Sequence, residues 1–204
     1  PYTTLFRSDR DSAALREQLS ALEVSRLDTV RAFAGDAPPA KLSFYSPPSA
    51  AVGQARTLPR GRTDNLVLAH CCCAMYAGGY FNAYEAIARL PRVDAVIHLG
   101  DYIYEVAGEK PGDYGYDTGS ALGRLPEPRH ACLTLADYRA RFAQTRSDPA
   151  CQAAHARAAW ICVWDDHEVA NDDWLDGAEN HDPKTEGDWA ARKAAALKAY
   201  FEWM

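Results

Sequence analysis

The chain has 204 residues, 48% of them hydrophobic and 25% charged, with a formal net charge of −6. These are the values of a folded globular chain holding one ordinary domain or a domain plus part of another, and they exclude disordered and fibrous classes. Lysines and arginines are scattered, which excludes the basic stripe of a nucleic-acid scaffold, and no window reaches the roughly 18 apolar residues of a membrane span.

In chain order, Pro1 to Asp9 resembles a translated adapter more than protein, so residues 1–9 are set aside. No charged-then-apolar secretory signal follows. Residues 10–35 space Leu15, Leu19, Leu22, Leu27 and Val30 as a helix does, ending near Gly35. Leu42 to Tyr45 and Gln54 to Leu58 read as two strands around a Pro/Ser/Gly turn, a hairpin suited to the end of a β-sandwich. Residues 10–60 are therefore expected to be a sandwich remnant and linker, and residues 61–204 a separate domain.

The texture changes after Asn65. Leu66 to Ala69 is a short apolar run of the kind that forms a strand buried on both faces. Tyr80 to Leu90 predicts a helix with Tyr80, Tyr84, Ile87 and Ala88 on one side, and Ala95 to Leu99 a second buried strand ended by Gly100-Asp101. Strand, helix and strand in succession form a β-α-β unit with parallel neighbours. Gly108 to Gly123 is rich in Gly and Tyr and predicts a long loop at the mouth of the sheet, where loops of this length carry function.

Thr134 to Thr145 reads as a helix with Thr134 as N-cap and Asp137 at the third position. Ala150 to Ala158 continues as helix, Trp160 to Trp164 is a third buried strand, and Trp189 to Met204 is a helix with no stop signal before the sequence ends. Of the six cysteines, Cys71, Cys72 and Cys73 adjoin and cannot all join one compact disulfide framework; Cys162 reads as a small buried hydrophobe.

All three strands end in potential metal ligands: Cys71-Cys72-Cys73, then Asp101 with Tyr104, then Asp165-Asp166-His167-Glu168. Parallel strands bring their C-terminal ends together, so these groups are expected to converge. Carboxylates with one thiolate and one phenolate suit a divalent or trivalent cation rather than a zinc finger. Two cations about 3.5 to 4 Å apart support phosphoryl transfer, with His167 protonating the leaving alkoxide or stabilising phosphate oxygens.

Taken alone, Asp101 also reads as an ordinary turn aspartate, and Tyr102 and Tyr104 as core aromatics. His98 lies within its strand and reads as a satisfied core histidine. The Asp165 to Glu168 run resists such a reading, because four ionisable residues directly after an apolar strand are costly to bury without a cation.

At these residues the sequence resembles the PhoD-like metallophosphatases, the alkaline phosphatase D family. The likeness runs from about Leu58 to Met204, through Gly79 to Tyr84, His98 to Glu105, Thr134 to Arg139, Trp164 to Asp172 and Trp189 to Met204. It implies an α/β fold, a metallophosphatase-type α/β/β/α sandwich incomplete for want of its C-terminal half, preceded by the remnant β-hairpin of a β-sandwich. It also implies an Fe(III) and Ca2+ centre that hydrolyses phosphate monoesters and diesters at alkaline pH, in a protein that is periplasmic or extracellular when intact.

Residue by residue, Cys73 matches the iron-binding cysteine, Asp101 the bridging aspartate and Tyr104 the iron-binding tyrosine. Asp166, with Asp165 beside it, falls at the second metal; Asp166 and His167 are the catalytic candidates and Asn171 the substrate-binding one. The partner implied is a phosphate-ester substrate, with no protein partner. Cys72 and Met75 stand where the family has polar neighbours of the metal cysteine.

Because the second half of the domain is absent after Met204, the resemblance implies a truncated copy, inactive alone. The alternative is a noncatalytic metal- or phosphate-binding module. A structural zinc or redox site at Cys71 to Cys73 lacks the usual Cys-x-x-Cys spacing.

Overall fold

The structure, a computed structural model, describes residues 4–6, 53–54, 61–63 and 65–204, and every structural statement below concerns these. The chain divides into two compact units, and the one described here comprises residues 1–6, 53–57 and 67–204. The helix expected over residues 10–35 lies outside the described residues, as does the hairpin apart from Gly53 and Gln54.

The sheet has four strands in the order β1 (Thr4–Phe6), β2 (Leu68–Cys71), β3 (Ala95–His98) and β4 (Ala159–Cys162). β2, β3 and β4 are parallel, and β1 runs antiparallel along β2. The strand formed by residues 4–6, a stretch set aside from the sequence, has a backbone reason: the outer edge of β2 offers a row of N–H and C=O groups to any extended segment, whatever its side chains.

Register places the site. Cys71 pairs with His98 and His98 with Cys162, so the three parallel strands end level and the residues beyond them start from one line. Ala69, Cys71, Val96 and His98 are buried, whereas the alternate residues Leu68, His70, Ala95 and Ile97 are only partly covered. The strands are thus one-sided in their burial, against the expectation of burial on both faces. β4 is an edge strand with an exposed-to-intermediate pattern, so Cys162 is half-buried, and Val163 and Trp164 beyond it are 52% and 49% exposed.

Helix α1 (Asn82–Ala88) turns Tyr84 and Ile87 inward while Tyr80, ahead of it, stays exposed. The predicted loop contains a helix, α2 (Tyr116–Leu122), bracketed by Gly115 and Gly123, both in the left-handed region. Gly119 inside it permits close packing, since an added Cβ would lie 3.1 Å from the Ala77 Cβ. The same glycine lowers helix propensity and hides the helix from sequence reading.

α3 (Leu135–Ser147) starts with the expected capping box: Thr134 Oγ1 accepts the Asp137 N–H at 3.3 Å and the Asp137 carboxylate accepts the Thr134 N–H at 2.8 Å. α4 (Pro149–Arg157) is capped by Asp148 and α5 (Trp189–Trp203) by Asp188; a two-stranded ribbon, β5 (Asp173–Trp174) and β6 (Gly177–Ala178), lies between β4 and α5. None of the described helices is long and apolar enough to cross a membrane.

His98 is the satisfied core histidine the sequence suggests. It is fully buried, its Nδ1 accepts the Gly100 N–H at 3.3 Å, and its Nε2 donates to the Tyr84 hydroxyl at 2.9 Å, with Tyr102 and Trp160 packed on the ring. Burial, and secondarily His70, pulls its pKa from 6.5 down to about 4. The unfolded chain therefore binds a proton that the folded one refuses: this stability is fully present above pH 6.5 and is lost as pH falls toward 4. Relative to His98→Gln, the wild type is expected to lose about 3 kcal/mol across that window. Urea unfolding of both proteins at several pH values measures it, and a difference independent of pH would refute the assignment.

Candidate metal centre and active site

Beyond the level strand ends, three loops meet. After β2 the chain passes through Cys72 and Cys73; the Cys73 N–H bonds the Gly100 carbonyl at 3.2 Å and the Ala74 N–H the Asp101 carbonyl at 2.8 Å, tying the first loop to the second. Cys73 and Asp101 both hold left-handed backbone, with φ of 56° and 54°. Non-glycine residues in that region signal a geometry imposed by the surroundings. Gly100 between β3 and Asp101 is obligatory, because a Cβ there would sit 2.5 Å from the Asp165 N and Cβ atoms.

Glu168 joins the second loop to the third. Fully buried, it accepts the N–H groups of Asp101 at 3.1 Å, Tyr102 at 2.5 Å and Asp165 at 2.7 Å. Burial raises its pKa to about 7 against the lowering effect of those three bonds. Glu105, also buried, accepts from His167 Nδ1 at 2.8 Å and from the Asn171 N–H at 2.7 Å, and so fixes the imidazole and the chain beyond it. Arg141, buried on α3, donates to the carbonyls of Tyr104, Val106, Glu127, Pro128 and His130, which frames the segment after Asp101.

Asp101, Asp166 and His167 come together with their ligand atoms all within 4.8 Å of one another, a group able to hold a metal ion. Asp101 Oδ2 accepts the Tyr104 hydroxyl at 3.1 Å; its Oδ1 is buried and accepts no hydrogen bond. Burial raises the Asp101 pKa, opposed by His167 and Tyr104, while Asp166 adds like-charge repulsion. Burial and the Asp101 charge hold the Tyr104 hydroxyl well above its ordinary pKa. For His167, burial pulls downward, but the bond to Glu105 and the charges of Glu105, Asp101 and Asp166 prevail and raise the pKa.

Of the residues singled out from the sequence, the structure gathers Asp101, Tyr104, Asp166 and His167, while Cys73 is exposed and lies outside the three-residue group. Asp165 is exposed and lies outside the three-residue group, its N–H held by Glu168. Asn171 turns its amide to Glu179 at 3.0 Å. Cys71 is buried, Cys72 intermediate and Cys73 exposed, so the three thiols occupy different environments, and none of the six cysteines is in a disulfide. The clamping roles of Glu105, Glu168 and Arg141 escaped sequence reading. Their signal was present: an acid or arginine between apolar neighbours has to find a partner when buried.

A parallel α/β sheet with acids, a phenol, a thiol and a histidine at its C-terminal pole defines an α/β domain with a candidate metal centre. The family model described as PhoD-like phosphatase matches residues 68–204, and the chain belongs to that family. Alkaline phosphatase D of Bacillus subtilis (strain 168) is 38% identical over 155 residues, 75% of this chain and 25% of that protein. A solved structure titled "Structure of PhoD" matches with a TM-score of 0.61 and 34% identity, over 74% of this chain and 28% of that one. The chain thus spans about a quarter of the length of these relatives. A short stretch is also 74% identical over 38 residues to the chromosome partition protein Smc of Burkholderia pseudomallei (strain 1710b), 19% of this chain and 3% of that protein.

Proposed function

We propose that the protein carrying this chain is a metal-dependent alkaline phosphatase or phosphodiesterase, hydrolysing phosphate esters at a dinuclear or multinuclear centre of Fe(III) and Ca2+. The observation that carries the reading is the meeting of the Asp101 and Asp166 carboxylates with His167 beside them, the Asp101 Oδ1 being buried and without a hydrogen bond. Hard oxygen donors with one thiol fit these cations: Cys73, Asp101 and Tyr104 would hold iron, and Asp166, aided by Asp165, would hold calcium. When bound, the cations supply Lewis-acid stabilisation of phosphate oxygens and activation of the attacking water.

The chain's own residues do the rest. Glu105 fixes His167 through Nδ1, which leaves Nε2 to face the ester and give a proton to the leaving alkoxide. Glu168 holds the Asp101 and Asp165 loops at a set spacing. Asn171, five residues beyond Asp166, is the group to orient the phosphate. A cavity of about 390 Å³ beside Glu105 is lined by Glu179, Asp182 and Glu186 as well as His181 and Arg192, an acidic wall that turns phosphate toward the cation site instead.

With Fe(III) and Ca2+ supplied, p-nitrophenyl phosphate hydrolysis at alkaline pH is expected, and chelator is expected to remove at least about 99% of it. Turnover indifferent to chelator would count against the reading. That the chain spans about a quarter of its relatives favours a second reading for the chain by itself, a noncatalytic metal- or phosphate-binding module. Stoichiometric metal by elemental analysis without turnover distinguishes it. A periplasmic or extracellular place for the intact protein accompanies the phosphatase reading, and cell fractionation tests it.

A further inference from the structure

The mouth of the candidate site carries an aromatic ring that the mechanism does not use. Tyr114 lies in the Gly/Tyr-rich segment and is 63% exposed. A lone exposed tyrosine needs no explanation, but this one borders the chemistry. Its ring centroid lies 6.3 Å from that of Tyr104, and the Tyr104 ring in turn lies 4.1 Å from His167. Aromatic surface therefore leads from the imidazole that serves the leaving alkoxide out to solvent, and since Tyr104 is 9% exposed, Tyr114 carries the open ring.

The segment that presents this ring is held in place. The Asp113 carboxylate accepts the N–H groups of Glu109 at 2.8 Å and Lys110 at 3.1 Å, and the Tyr116 N–H bonds the Asp113 carbonyl at 3.0 Å. Gly115 is pressed against Met75 so closely that a Cβ would lie 2.5 Å from Met75 Cε. A ring mounted on fixed backbone, with few torsions of its own, gives up little freedom when a ligand stacks on it.

We propose that Tyr114 is a binding platform for the alcohol portion of the ester, so that the site prefers phosphate esters of flat aromatic alcohols to those of aliphatic alcohols. The proposal rests on the phosphoesterase reading: phosphate at Asp101, Asp166 and His167 directs the departing group past Tyr104 toward Tyr114. Stacking of this kind yields about a tenfold gain in affinity.

Calorimetric binding of two non-hydrolysable probes, phenylphosphonate and methylphosphonate, to the Fe(III)- and Ca2+-loaded protein tests it in wild type, Tyr114→Ala and Tyr114→Phe. Wild type is expected to bind phenylphosphonate about tenfold more tightly than methylphosphonate. Tyr114→Ala should abolish that preference without changing methylphosphonate affinity, and Tyr114→Phe should keep it. Equal affinities in wild type, or a preference that survives Tyr114→Ala, overturn the platform and leave the phosphoesterase reading standing. Failure of loaded wild type to bind either phosphonate overturns both.

Discussion

In the proposed phosphoesterase that carries this chain, Asp101→Asn is expected to lower metal-dependent turnover at least about a thousandfold, since loss of groups that merely orient ligands already costs 10- to 100-fold. Asparagine tolerates the left-handed backbone that Asp101 adopts, so the substitution changes charge and leaves the turn intact. The metal-free protein should not suffer. Burial and Asp166 both disfavour the Asp101 charge, and Oδ1 accepts no hydrogen bond, so the neutral amide should melt at the same temperature as wild type or above. Elemental analysis and calorimetry with and without metal read both halves. A variant that still binds metal stoichiometrically, or whose metal-free form is markedly less stable, removes Asp101 from the centre.

The second large effect falls on stability. Glu168→Ala leaves the Asp101, Tyr102 and Asp165 amides without their acceptor in a fully buried position, and a loss of about 4 kcal/mol is expected, near 10 °C in melting temperature. Glu168→Gln should be milder. Its amide oxygen can replace Oε2, which serves Asp101 and Asp165, while its NH2 would face the Tyr102 N–H. Equal melting temperatures for wild type and Glu168→Ala would show that the two loops are held by something else.

What was legible in the sequence follows from which interactions are local. Apolar runs ending in Gly-Asp and Asp-Asp-His-Glu announce parallel strands with acids beyond them, and the register that levels Cys71, His98 and Cys162 makes those acids converge. The capping box at Thr134 was equally readable, because both of its bonds span three residues. The partners of the acids were not. Glu168 reaches Asp101 across 67 positions and Glu105 reaches His167 across 62, and no periodicity reports such pairings. Strand burial was overestimated for a related reason: an apolar run gives the composition of a strand but not how many of its faces other elements cover.

The contact at Gly100 carries a consequence for evolution. Main chain after β3 abuts main chain after β4 with no room for a methyl group, so this contact, together with the Glu168 clamp, sets how near the two jaws of the candidate site stand. Exchanging donors one at a time can retune which cation is preferred while the gap between the two jaws stays constant. A side chain at position 100 would force them apart.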